Sequence, residues 1–376
     1  MKIGRMVVAV LGFFSAAAYA QNNVTVYGLV DTGIEYVSHA DTAGQSLIRM
    51  PGVSGELPSR LGVRGAEDLG GMNAVFVVES GFNMRGGDLG QGGRMFGRQA
   101  WVGLDGRWGT LSVGRQYSMA FWVLADADML GPDINGIGAL DNYLPNARSD
   151  NTIAYKGTFN GLTAGATYSF GRDGAGTGNS PGQGTCAGEV AGQASQCKEI
   201  SGMLKYDAAS FGVAAAYDQQ RGGTNAAANF FDGVAPFALV SADDKDERIQ
   251  ANGYVKSGAL KVGGGWIGRK VEAASAPVPA VRSNLFYVGA QYLASAALVL
   301  DGEAYRMIIK EHDTRASLMT LRATYYLSKA TAVYVKGAYL WNSNNARFSV
   351  SAGGGGTTPA AGMGQLGAMI GIRHSF

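Results

Sequence analysis

Residues 118–147 read SMAFWVLADADMLGPDINGIGALDNYLPNA, a run with neither the alternation of a strand nor the apolar stripe of a helix. The run carries Asp126, Asp128, Asp133 and Asp141 and no Lys or Arg. Loops this long are uncommon and are usually functional or disordered. Phe121, Trp122, Val123, Leu124, Met129, Leu130, Ile134, Ile137 and Leu140 give it too much apolar surface for plain disorder. It must therefore pack against something, and the alternating segments on both sides supply a wall of sheet. The expectation is a loop that folds into a barrel and narrows it.

Outward from this loop, segments of about ten residues alternate between two faces, as lipid-spanning strands do. Leu162, Ala164, Ala166, Tyr168 and Phe170 interleave with Thr163, Gly165, Thr167 and Ser169, and Met319, Leu321, Ala323 and Tyr325 oppose Thr320, Arg322, Thr324 and Tyr326. At the end of the chain Leu366, Ala368, Ile370, Ile372, His374 and Phe376 share one face. A soluble sandwich alternates in the same way, so the connections decide. Seven are short, such as Leu69-Gly70-Gly71, Asn160-Gly161 and Ser328-Lys329-Ala330, and they alternate with eight long polar or Gly-rich stretches, giving sixteen strands with both termini on the short-turn side. Short turns on one side, long loops on the other and an even strand number are what a transmembrane β-barrel requires. In lipid a sheet must close so that no backbone edge stays unpaired. The fold class is therefore all-β, an antiparallel barrel of sixteen strands.

Residues 1–20 have the pattern of a secretory signal peptide: Lys2 and Arg5, an apolar run from Met6 to Ala18, and small residues at Ala18 and Ala20. Cleavage is expected before Gln21, leaving residues 21–376 as the barrel. The 31 basic residues less Lys2 and Arg5 leave 29 against 29 acidic ones, so the mature chain is formally neutral. Net charge thus gives no reason to expect nucleic acid, and electrostatic function must be local. After Ala20 no apolar run is long enough for a membrane helix. Tyr27, Trp108, Phe159, Phe170, Phe211, Tyr292, Trp341 and Phe376 fall near strand ends, where aromatic rings favour the two lipid interfaces; ordinary β-propensity explains some of them equally well.

Several short motifs recur in a telling order: VTVYGLVD (24–31), SRLGVRG (59–65), EDLGG (67–71), ESGF (79–82), RQAWVGL (98–104), GTL (109–111), GRQ (114–116) and terminal GIRHSF (371–376). Together they resemble the general diffusion porins of Gram-negative outer membranes, the β-proteobacterial branch in particular, over essentially the whole mature chain. The resemblance implies a sixteen-stranded homotrimer in the outer membrane, in contact with lipid and lipopolysaccharide and inserted by the outer-membrane assembly machinery. It also implies that the third outer loop, here residues 118–147, folds inward, that basic wall residues face it, and that the terminal aromatic, here Phe376, serves as an assembly signal. The Pro-Glu-Phe-Gly loop tip of enterobacterial relatives is absent, with Gly131-Pro132-Asp133 at a similar place.

A barrel of sixteen strands leaves an aqueous channel, and charges at its narrowest section set selectivity. The candidate acids are Asp126, Asp128, Asp133 and Asp141. Arg60, Arg98, Arg115 and Arg148 match the basic wall by position, with Arg64 and Lys156 behind them; each is either a pore charge or a structural partner. Strict alternation from Val102 and Val113 points Arg98 and Arg115 toward lipid, so a bend at Gly97 or Gly114 has to turn them inward. Cys186 and Cys197, the only cysteines, sit in the fourth loop of an exported chain and read as a disulfide, not a zinc site. The histidines His39, His312 and His374 suggest no Ser-His-Asp arrangement, and no residue pattern calls for a cofactor or a metal. The run 243–248 reads as solvated surface or as a divalent-cation contact to lipopolysaccharide. The expectation is a passive channel for ions and small hydrophilic solutes, with a lean toward anions that the branch implies. The alternative is a sugar- or small-anion-specific channel using Tyr117, Phe121 and Trp122 as an aromatic slide.

Overall fold

A computed structural model describes residues 23–52, 54–173, 185–186, 188–224, 226–227, 230–231 and 237–376. The expected signal peptide with its cleavage site at Ala20 and Gln21, and the middle of the fourth loop, lie outside the described residues. Sixteen long strands make the wall: β1 (Asn23–Val37), β3 (Arg60–Asp68), β4 (Asn73–Gly81), β5 (Gln99–Gly106), β6 (Gly109–Tyr117), β7 (Arg148–Phe159), β8 (Leu162–Ser169), β9 (Glu199–Asp207), β10 (Phe211–Arg221), β11 (Lys245–Ser257), β12 (Leu260–Glu272), β13 (Val281–Leu293), β14 (Leu298–Ile309), β15 (Thr314–Tyr326), β16 (Thr331–Asn342) and β17 (Gln365–Ser375). A further strand of three residues, β2 (Leu47–Arg49), lies in the first outer loop and pairs with the end of β1. Each wall strand is antiparallel to its sequence neighbours, and β1 closes the ring by pairing with both β3 and β17. Closure follows from the medium: in hydrocarbon every backbone N–H and C=O must find a partner within the protein.

The polarity of the two faces is inverted relative to a water-soluble protein. On β16, Val335, Tyr339 and Trp341 point outward and are exposed, while Tyr334, Ala338 and Leu340 point inward and are buried. On β1, Val24, Val26 and Ile34 are outside, whereas Asp31 and Glu35 are buried inside. The largest packed core accordingly sits in the lumen, beneath the loop of residues 118–147. Helix α1 (Met119–Leu124) opens that loop and packs on β9 and β10. Ile137, Leu140, Tyr143 and Leu144 on its return limb bury against Ile267, Leu285, Tyr305, Leu318 and Leu340 of the wall. The Ser118 N–H donates to the Ala147 carbonyl at 2.9 Å and ties the two stems together.

Trp108, Phe159, Phe211, Tyr292 and Phe376 are exposed at the short-turn end, and Phe170 and Trp341 at the loop end, as two interfacial belts require. Tyr27 departs from that expectation. Its ring lies in the lumen, where the hydroxyl donates to Glu79 Oε2 at 2.9 Å. The Cys186–Cys197 disulfide is formed, with Cα atoms 5.4 Å apart. It ties the fourth loop to its neighbours as well as to itself, because Cys197 accepts from the Arg172 N–H and donates to the Gly222 carbonyl.

At the seam, the Gly28 N–H donates to the Phe376 carbonyl at 2.9 Å and the Phe376 N–H returns a bond to Gly28 at 3.1 Å. The Phe376 ring covers Gly28 so closely that a Cβ there would stand 2.2 Å from the ring. Phe376 thus extends the β1–β17 seam and places an aromatic on the lipid side. Deleting Phe376 is expected to lower the yield of heat-modifiable folded barrel on gels several-fold; unchanged yield would contradict its role in closure.

Candidate functional site

The four candidate arginines all reach the inner side of the wall on the arc from β3 to β7. Arg60 opens β3 with its side chain 26% exposed, 3.8 Å from Glu79 Oε2. Arg98 precedes β5, outside the regular ladder, and its buried side chain swings inward to donate to Glu79 Oε1 at 2.6 Å and to the Tyr117 hydroxyl at 2.7 Å. Arg148, at the start of β7, donates to the same hydroxyl at 2.7 Å and lies 4.3 Å over the Tyr117 ring. Three guanidinium groups therefore gather around one carboxylate and one phenol.

Arg115 reaches the inside through a break in the ladder. The β6–β7 register skips a residue between Gly114 and Gln116, and Gly114 has φ +126°, with the Ala100 carbonyl 2.2 Å from where a Cβ would stand. Only glycine fits there. The bulge turns Arg115 inward, where it donates to the Gly97 carbonyl at 2.8 Å and to Asp150 at 2.5 Å. Arg115 thus joins Asp150 and not the group around Glu79. Arg64 and Lys156 also lie inside: Arg64 is exposed near the Tyr27 ring, and the Lys156 ammonium stands 3.7 Å from the centre of the Trp122 ring.

The loop acids Asp126, Asp133 and Asp141 have cation partners of their own. They hold other wall residues, on the arc from β9 to β16. Asp126 pairs with Lys205 of β9, which also reaches Asp207 at 3.0 Å. Asp133, at the loop tip, takes Lys336 of β16 at 2.6 Å and Arg322 of β15 at 3.1 Å. Asp141 receives Arg248 of β11 through two bonds, at 2.9 and 3.2 Å. Asp128 meets an acid, Glu303 of β14, while its Oδ1 accepts the Gly131 N–H at 2.9 Å. Burial pushes the Asp128 carboxyl up to about 6, above the usual carboxylate range. Of the four, Asp126 alone has a side chain more than a third exposed, at 36%.

The printed bonds of Asp126, Asp133 and Asp141 thus go to Lys205, Lys336, Arg322 and Arg248 and not to Arg60, Arg98, Arg115 or Arg148. The acids anchor the loop on one arc, and the arginines line another. The anchoring cations Lys205, Arg248, Arg322 and Lys336 were not singled out as pore residues by the sequence, although each has the inward phase of its strand; Lys336, for instance, alternates with outward Val335. The run 243–248 is corrected, because Asp244, Asp246 and Arg248 are buried. Asp246 accepts both Arg248 and Arg269, so these groups are interior to the barrel and not solvated surface. The histidines take no part: His374 bonds Thr331 outside, His39 meets the Gly364 carbonyl, and His312 lies edge-on to Phe231 in the outer loops.

Chemically, the arrangement can hold a loop in place and set up a field. The tip anchor is the most exacting part of it. The Lys336 side chain has no exposure, and among the described residues its ammonium donates to Asp133 and, at 2.9 Å, to the Gly55 carbonyl. Breaking a buried pair by removing one partner costs about 3–5 kcal/mol. Asp133→Asn is expected to lower the barrel's stability to denaturant by an amount of that order; a loss below about 1 kcal/mol, the size of an exposed pair, would contradict the anchor.

Comparison with known proteins agrees with this architecture. A family described as Gram-negative porin matches residues 7–345. Outer membrane porin protein 32 of Delftia acidovorans is 33% identical, with 100% of both chains covered. An outer membrane porin protein of Bordetella pertussis is 30% identical over 91% of this chain and 95% of its own. Among solved structures, an anion-selective porin from Comamonas acidovorans superposes with a TM-score of 0.76 at 25% identity, covering 94% of this chain and 100% of that one. The trimer form of a Vibrio cholerae outer membrane protein shares the fold at 14% identity, with a TM-score of 0.63 over 94% of this chain and 99% of its own. With the closed sixteen-strand barrel and its inward loop, these matches make the chain a member of the Gram-negative porin family, a channel protein of the outer membrane.

Proposed function

We propose that this porin is a passive channel for ions and small hydrophilic solutes, and that it prefers anions. The observation that carries the proposal is a local gathering of positive charge on the arc of the wall from β3 to β7. Arg60 and Arg98 share the carboxylate Glu79, and Arg148 joins Arg98 at the Tyr117 hydroxyl, whereas Asp126, Asp133 and Asp141 each meet a wall cation. Buried guanidinium groups need not touch a solute to act, because low-dielectric walls focus their field into the water-filled lumen. Arginine stays charged at every accessible pH, so the preference is a standing property of the wall. The Comamonas relative's description as anion-selective supports the same sign. The mature chain begins at Gln21 in this reading. It assembles as a homotrimer, in line with the trimeric Vibrio structure, with lipid and lipopolysaccharide around it after insertion by the assembly machinery.

A second reading, a channel specific for a sugar or a small anion, has one observation in its favour. Tyr117 and Phe121 stack at 3.8 Å with planes 17° apart, and Trp122 meets both edge-on. Tyr117 is buried, however, and Lys156 covers a face of Trp122, which leaves little continuous aromatic surface for a solute. Conductance that saturates with one solute and is competed by its analogues would favour this reading.

Two charges about 4 Å apart interact by roughly 1 kcal/mol in water and about 4 kcal/mol at an effective dielectric of 20, so one wall charge is large on the scale that sets selectivity. In planar bilayers under a salt gradient, Arg60→Gln and Arg148→Gln are expected to move the reversal potential toward cations. Asp126→Asn, at the most exposed loop acid, moves it toward anions. Both shifts should shrink between about 0.1 M and 1 M salt, as the Debye length falls from about 10 to about 3 Å. Reversal potentials that ignore the arginine substitutions at low salt would overturn the proposal.

A further inference from the structure

Tyr143, on the return limb of the inward loop, is fully buried. Its hydroxyl oxygen lies 2.8 Å from Asp218 Oδ2 on β10 and 3.0 Å from Glu199 Oε1 on β9, with Ser118 Oγ farther off at 3.5 Å. A hydroxyl carries one proton and an ionised carboxylate only accepts. Tyr143 can therefore donate to one of the two acids; the other contact is a hydrogen bond only if that carboxyl donates it. Among the described residues no cation stands within salt-bridge distance of either acid.

The surrounding charges do not change this count. Arg248 of β11 lies 4.4 Å over the Tyr143 ring, but its donors go to Asp141 of the loop and Asp246 of its own strand. Asp246 is held in turn by Arg269 of β12. Arg172, beyond the end of β8, is bound to Asp173 at 2.9 Å. Burial and the two neighbouring acids push the Tyr143 phenol well above its usual range, so it remains a donor. Two buried carboxylates side by side cannot both ionise without a large cost.

We propose that Glu199 and Asp218 share one proton at neutral pH, and that this proton latches the return limb of the inward loop through Tyr143. In the latched form one carboxylic O–H donates to the Tyr143 oxygen, and the Tyr143 O–H donates to the other carboxylate. When the shared proton leaves to solvent, two carboxylates compete for the Tyr143 proton, with the Ser118 hydroxyl as a weaker donor beside Asp218, and the limb loosens. The docked loop binds this proton more tightly than an undocked one, whose acids would face water. Docking is therefore strongest at acid pH and weakens as pH rises. The channel consequence rests on the reading that this loop narrows the pore, whereas the proton itself does not.

Two measurements on the whole protein in lipid test the latch. Difference infrared spectroscopy reads the carboxylic C=O stretch directly. The wild type is expected to show such a band at neutral pH that fades at alkaline pH, and a component of it is expected to be missing from Asp218→Asn and from Glu199→Gln. In single-channel records, wild-type flicker should rise severalfold as pH increases. Asp218→Asn, whose amide donates without titrating, should stay quiet throughout, and Tyr143→Phe should flicker at every pH. A carboxylic band unaffected by both acid substitutions overturns the proposal, whatever the channel conducts. Flicker in Asp218→Asn that climbs with pH as in the wild type overturns it as well.

Discussion

The loop of residues 118–147 stays inside the barrel because its aspartates and the inward cations of the wall would each be an uncompensated buried charge without the other. Lys336 and Arg322 meet at Asp133, and Arg248 closes on Asp141. Such pairs are weak evidence for stability when compared with an apolar core of the same volume. Breaking one is nevertheless costly, so together they fix where the loop lies. The apolar side of the loop agrees with that position, since Ile137, Leu140 and Leu144 bury against inward residues of β12 to β16.

A functional consequence follows from which charges this anchoring uses. Acid on the inward loop would ordinarily oppose base on the wall across the lumen. Here most loop acids are matched locally, and the group around Glu79 keeps its excess of arginine. Tyr117 lets that group exist: its hydroxyl accepts from Arg98 and Arg148 at once, and its ring takes the Arg148 guanidinium on one face and Phe121 in a stack. Like charges are held together by acceptors and by an aromatic face.

The barrel was legible in the sequence because lipid imposes few and strict rules. Period-two alternation, turns such as Asn160-Gly161 and the unequal lengths of the connections gave the strand number, and the absence of strand pattern in residues 118–147 marked the inward loop. The site was legible only in part. Charge type and position pointed to Arg60, Arg98 and Arg148, but the strand period alone aims Arg98 and Arg115 at lipid. A residue outside the ladder at one and a glycine bulge at the other reverse that direction. The partners of the loop acids could not be read, because which wall strand a loop crosses depends on packing across the lumen. Lys205, Arg248, Arg322 and Lys336 were visible only as inward charges without an assigned use. Tyr27 misled for a similar reason: a ring near a strand end suits the lipid interface, but its phase and Glu79 place it inside.

The measurement that bears most directly on this structure is the zero-current potential of the unmodified channel across a planar bilayer, with potassium chloride more concentrated on one side and the dilute side at low ionic strength. An excess of wall arginine over matched loop acids predicts the sign of an anion-preferring pore, fading as both solutions are made more concentrated. A cation-preferring sign at low ionic strength would mean that the loop aspartates face the solute path after all, and would contradict the assignment of Asp126, Asp133 and Asp141 as anchors.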